Sequence, residues 1–120
     1  MIKGIGIDII ELERIRQSLE NNVRFVERIL TSQERENYRQ LTNEKRKVEY
    51  VAGRFAAKEA FAKAAGTGIG KLAFQDMEVS QTEAGAPVLH VAGYEEENIF
   101  LSISHAERYA VAQVILEARF

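Results

Sequence analysis

The 120-residue sequence contains no cysteine and a single proline. Without cysteine, disulfide frameworks, thiolate zinc sites and cysteine nucleophiles are all excluded, and the chain is compatible with a reducing cytoplasm. With one proline and no Gly/Ser-rich or low-complexity stretch, nothing marks a boundary, so residues 1–120 are expected to form one domain. No apolar run approaches the ~20 residues needed to span a bilayer. The segment Met1-Ile2-Lys3-Gly4-Ile5-Gly6-Ile7-Asp8 has neither the apolar core nor the cleavage site of a signal peptide, which predicts a cytoplasmic chain with no membrane partner. A basic excess is missing too. The 16 Lys+Arg against 18 Asp+Glu leave a net charge of -2, which argues against a nucleic-acid binder.

What is present is enough for a core: 46% of residues are hydrophobic, and a chain of this length hides roughly two-thirds of its unfolded surface. Ile2 to Ile9 reads as a buried strand, broken by Gly4 and Gly6 where a backbone or ligand comes close, with Asp8 at its end. Leu12, Ile15 and Leu19 mark an amphipathic helix, Val23 to Leu30 a shorter one, and Thr31 with Glu34 a capping box for a third. From Asn43 to Ala65 the recurrence of Val48, Val51, Ala52, Phe55 and Ala62 predicts one long helix capped by Gly66. The segment Gly66-Thr67-Gly68-Ile69-Gly70 is an irregular loop with accessible amides. Strands are expected over Asp76 to Gln81, Val88 to Ala92, Ile99 to Ser104 and Tyr109 to Leu116, the last central and buried on both sides. The fold class is α+β, an antiparallel sheet packed on one long helix.

Glu59 follows Val51 and Phe55 at steps of four and so lies along the core-facing stripe. Two readings stand for it: an i,i+4 ion pair with Lys63, or a ligand that meets Asp8 between strand and helix. Two such carboxylates in a dry pocket call for a cation, and Mg²⁺ suits one or two carboxylates completed by phosphate oxygens and waters. The 66–70 loop follows a helix, so it fits neither dinucleotide nor P-loop patterns; on composition it is a helix cap and turn. Ser104 and His105 close a strand at a sheet rim, His90 is an ordinary surface residue, and Arg14, Arg16, Arg24 and Arg28 form either a solvated face or a docking face for an acidic partner.

Ile5-Gly6-Ile7-Asp8 and Phe55-Ala56-Ala57-Lys58-Glu59-Ala60-Phe61-Ala62-Lys63 resemble the two signature motifs of the phosphopantetheinyl transferases. Their order and spacing, Arg28-Ile29-Leu30-Thr31 with Glu34 between them, and Ser102-Ile103-Ser104-His105 before a last strand resemble the short bacterial branch over essentially the whole chain. Larger members are about twice as long, with tryptophan where this chain has Phe55. Gly85-Ala86-Pro87 departs from the pattern, since a basic residue is common between that glycine and proline.

The resemblance implies transfer of phosphopantetheine from coenzyme A to a serine of apo acyl carrier protein, releasing adenosine bisphosphate. It implies Asp8 and Glu59 as Mg²⁺ ligands, Glu59 and Lys63 as catalytic residues, and Lys63, Gly66, Gly68, Ser104 and His105 as contacts to coenzyme A. It further implies Arg14 and Arg24 facing the carrier protein, and a homotrimer with the active site between protomers. The alternative is a non-catalytic coenzyme A or carrier-protein binding module on the same scaffold.

Overall fold

Isoleucine-rich Ile2–Glu11 forms strand β1, and the chain turns directly into helix α1, Leu12–Asn21, whose buried Leu12 and Ile15 point to the core. In this computed structural model, which describes residues 1–119, three more helices follow: α2, Phe25–Ile29; α3, Ser32–Arg39; and α4, Glu44–Ala65. A 3-10 turn at Phe74–Asp76 leads to strands β2, Met77–Gln81; β3, Pro87–Val91; β4, Glu97–His105; and β5, Tyr109–Ala118. Of the expected 1–120 domain, Phe120 lies outside the described residues.

The ends of α4 are set by chemistry visible in the sequence. Asn43 accepts the Arg46 amide at 3.1 Å at one end, and Gly66 takes φ 76° at the other. The capping box of α3 is also formed, with the Thr31 and Glu34 side chains each taking the other's backbone amide. Helix α2 is shorter than the expected Val23 to Leu30: Val23 is left exposed before it, and Leu30, buried in the core, already has extended backbone.

The strands form two antiparallel sheets rather than one: β1-β5-β4, with β5 central as expected, and β2-β3. Helix α4 packs across β1 and β5. The even residues of β5 (Ala110, Ala112, Val114 and Leu116) are buried against it. Closest approach is at β1, where a Cβ on Gly4 would lie 1.9 Å from the Ala64 carbonyl oxygen and one on Gly6 1.8 Å from that of Ala60. The glycines therefore mark backbone against backbone.

Two expectations about burial need correcting. Strand β1 is buried on one face only: Ile5, Ile7 and Ile9 are 59%, 57% and 62% exposed. Strand β5 likewise leaves Tyr109 and Gln113 exposed on its outer face, with Val111 and Ile115 half-buried. Both strands carry apolar side chains on the face turned away from α4, and among the described residues no second layer covers it. β1 also continues to Glu11, so Asp8 sits within the strand and not at its end.

Candidate active site

Alternation along β1 turns Gly4, Gly6, Asp8 and Ile10 toward α4. The glycine contacts put Ala60 and Ala64 against the strand, which carries Glu59 and Lys63 to the region of Asp8. Lys63 does not pair with Glu59. Its Nζ donates to the Ile7 carbonyl at 2.9 Å and to Asp8 Oδ1 at 3.2 Å, because the strand backbone lies closer to it than its own helix neighbour. Asp8 is largely buried, with 16% of its side chain exposed, whereas Lys63 is half-exposed.

Glu59 is half-buried and no ion pair among the described residues includes it. Its pKa is raised above 4.5, first by burial and then by the Asp8 charge, with Lys63 pulling it down. Asp8 and Glu59 are thus two interacting carboxylates sharing one ammonium, a site that favours a further cation. No cluster of three or more potential metal-ligating side chains occurs among the described residues. A hard divalent ion that keeps waters and takes phosphate oxygens needs only one or two carboxylates, so this pair fits it.

The glycine loop differs from expectation in one respect. The amides of Gly66, Thr67 and Gly68 bond to the Lys63 and Ala62 carbonyls that end α4, and that of Gly70 to Leu72. They are not accessible donors. What the glycines leave is space: nothing lies within 4 Å of where a Cβ would stand on Gly66, Gly68 or Gly70.

Ser104 and His105 end β4 but face opposite ways. Ser104 pairs with Val111 on the outer face of the sheet, whereas His105, paired with Ala110, lies on the helix side. There His105 lines a cavity of about 710 Å³ together with Arg46, Tyr50, Gly53 and Arg54. The Arg54 guanidinium stands 3.7 Å from the Tyr50 ring centre, and its Nε is buried without a hydrogen-bond partner. Two guanidiniums and an imidazole, against the single carboxylate of Glu49 in the lining, suit a phosphate. The sequence reading missed Arg46 and Arg54. Their signal was the run Arg46, Tyr50, Arg54 and Lys58 at steps of four, beside the stripe that drew attention to Glu59.

Asp8, Glu59 and Lys63 do not border this cavity. The two groups lie apart along α4: Ala60 and Ala64, in its C-terminal half, meet β1 beside the carboxylate pair, whereas Gly53, two turns earlier on the same sheet-facing side, meets Ile103 of β4. Arg14, Arg24 and Arg28 are exposed, and none is in an ion pair among the described residues. Arg16 instead bonds Glu13 and Glu20 of its own helix.

Residues 4–114 match the family model of the 4'-phosphopantetheinyl transferase superfamily. The chain is 58% identical over 119 residues to the holo-[acyl-carrier-protein] synthase of Oceanobacillus iheyensis, covering 99% of each. Its fold matches the crystal structure of a holo-(acyl-carrier-protein) synthase from Bacillus anthracis in complex with CoA (3',5'-ADP), with TM-score 0.91 and 53% identity over 98% of each chain. It also matches the Helicobacter pylori holo-[acyl-carrier-protein] synthase in complex with coenzyme A, with TM-score 0.81 and 33% identity, covering 94% of this chain and 99% of that one.

Proposed function

The chain belongs to the 4'-phosphopantetheinyl transferase superfamily, among the holo-acyl-carrier-protein synthases, and from that membership we propose that it transfers phosphopantetheine from coenzyme A to a serine of an apo acyl carrier protein. The observation that carries the reading is the pairing of Asp8 with Glu59 and Lys63 beside an open glycine loop. In the reaction the serine Oγ bonds to the β-phosphorus of coenzyme A. The bond from that phosphorus to the oxygen bridging to the α-phosphate breaks, and adenosine bisphosphate leaves with the electron pair. Glu59, or a water that it positions, accepts the serine proton. Lys63, half-exposed and spending two of its three N–H bonds on Ile7 and Asp8, has one left for a phosphate oxygen.

Asp8 and Glu59 would hold Mg²⁺, which supplies charge neutralisation and polarisation of the phosphates when bound. Gly66 and Gly68 let the coenzyme approach the end of α4, by shape more than by donated hydrogen bonds. His105, with Arg46 and Arg54, takes a phosphate of the nucleotide end, and Arg14 and Arg24 meet the acidic carrier protein.

We read the working unit, residues 1–120 as one domain, as a cytoplasmic homotrimer. Two observations support assembly. The sheet face bearing Ile5, Ile7, Ile9 and Phe100 is apolar and exposed, and the basic cavity shares no lining residue with the carboxylate pair, so a coenzyme A that engages both kinds of group would draw them from two chains. Ser104, on the outer face, would then lie at the interface.

The test is incubation with apo carrier protein, coenzyme A and Mg²⁺, followed by mass measurement of the carrier. The expected result is a gain of one phosphopantetheine. An unchanged carrier mass across several carriers, with coenzyme A still bound, would instead make the chain a binding module.

A further inference from the structure

Beside Glu59 on α4, Lys58 carries a charge that the reaction does not use. Lys58 and Glu34 are both fully buried, with Nζ 2.6 Å from Oε1. Such burial is costly unless the remaining donors and acceptors are matched. Here Glu34 Oε1 also accepts from the Thr31 amide at 2.9 Å, and Oε2 accepts from the Val79 amide at 2.7 Å. Lys58 spends its second bond on the Ile29 carbonyl at 2.7 Å. The pair therefore joins the end of α2, the start of α3, β2 and α4.

Helix α2 depends on such ties. Five residues cannot sustain a helix by their own hydrogen bonds, and the carbonyls at its C-terminal end are taken by side chains from elsewhere. Lys58 holds Ile29; Gln75 Nε2 reaches the Leu30 carbonyl at 2.7 Å and that of Glu27 at 2.5 Å; Arg35 also reaches Leu30 at 2.7 Å. A buried apolar pair would serve packing as well as this ion pair does. What the apolar pair would lack is a donor aimed at one carbonyl.

We propose that Glu34 and Lys58 are positioning residues that fix α2, with Arg24 at its start and Arg28 within it, against the catalytic helix α4, and so set the geometry of carrier-protein capture. This rests on the reading that α1 and α2 receive the carrier. With α2 loosened, carrier capture weakens while the coenzyme A site, which α2 does not build, is spared.

The experiment measures steady-state constants for both substrates in wild type, in the Glu34→Gln/Lys58→Met double variant, and in Gln75→Ala, which removes a peripheral tie without opening the core. The expected result is a carrier KM raised about fivefold or more in both variants, with kcat and the coenzyme A KM within about twofold of wild type in Gln75→Ala, which leaves the Glu34 bond to Val79 of the cavity lining intact. A parallel rise in both constants or a fall in kcat alone in Gln75→Ala, or an unchanged carrier KM in either variant with native circular dichroism, would overturn the proposal. If the double variant does not fold, Gln75→Ala decides. Failure of the wild-type chain to modify any apo carrier would overturn the transferase reading itself, and this inference with it.

Discussion

Glu59 carries the clearest electrostatic signature at the scale of single residues. Its pKa is raised by burial and by Asp8, so in the folded chain it holds its proton to higher pH than the unfolded value of 4.5. The stability linked to Glu59 is thus fully present below that value and is lost as pH rises through the folded pKa. Asp8→Asn should lower the Glu59 pKa and Lys63→Met should raise it, read by carboxyl NMR titration of the metal-free chain. Identical titrations in both variants would mean that burial acts alone. Asp8→Ala and Glu59→Ala should each reduce transfer about 10²-fold or more while leaving circular dichroism unchanged, with chelation mimicking both. Near-normal, chelator-sensitive turnover in either variant would remove that residue from the ligand set. The sequence made Asp8, Glu59 and Lys63 legible because each sits in a short motif. It did not show that Lys63 turns to Asp8, because that choice depends on how close β1 comes to α4, a distance no local pattern encodes.

The β1–α4 contact dominates at the scale of elements. The Gly6 Cα stands so close to the Ala60 carbonyl that an added methyl must displace backbone and not a side chain. Gly6→Ala should destabilise the chain by about 1–3 kcal/mol or more, measured by urea denaturation, and should cost activity by pushing Asp8 away from Glu59. A wild-type urea midpoint would show that the strand can yield there. Lys58→Ala should cost about 3–5 kcal/mol, since it leaves the Glu34 carboxylate buried without its cation. Helix caps at Thr31, Asn43 and Gly66 were readable because capping is a local chemistry of side chain and neighbouring amide. The division of the strands into β1-β5-β4 and β2-β3 was not readable, since alternation says which way a strand faces and nothing about its pairing partner. Glu34 was legible as a capping residue and illegible as the partner of Lys58, 24 positions away in the chain.

The exposed isoleucines of β1 govern the behaviour of the whole molecule. The sequence predicts a buried β1 and, from apolar residues on both faces, a β5 buried on both sides; the described chain buries one face of each. A pattern of this kind is the same whether the cover comes from the chain itself or from another copy. Ile7→Lys should therefore give a smaller species by light scattering, with little transfer activity. Mixing Asp8→Ala with Arg54→Ala should restore partial activity if the site is shared between copies. Full activity in an Ile7→Lys monomer would defeat the shared site. Charge reversal at Arg14 and Arg24 should raise the carrier KM and flatten its salt dependence, since exposed charges are screened over about 8 Å at physiological ionic strength. An unaltered salt slope would make these arginines an ordinary solvated face.

The position of α4 has a kinetic consequence. If the carboxylates where α4 meets β1 work only with the basic cavity of a neighbouring copy, no single chain holds a working site, however well folded. Specific activity should then fall on dilution. The rate should rise more steeply than the first power of enzyme concentration until assembly saturates, so the abundance of the chain in the cell would regulate its output.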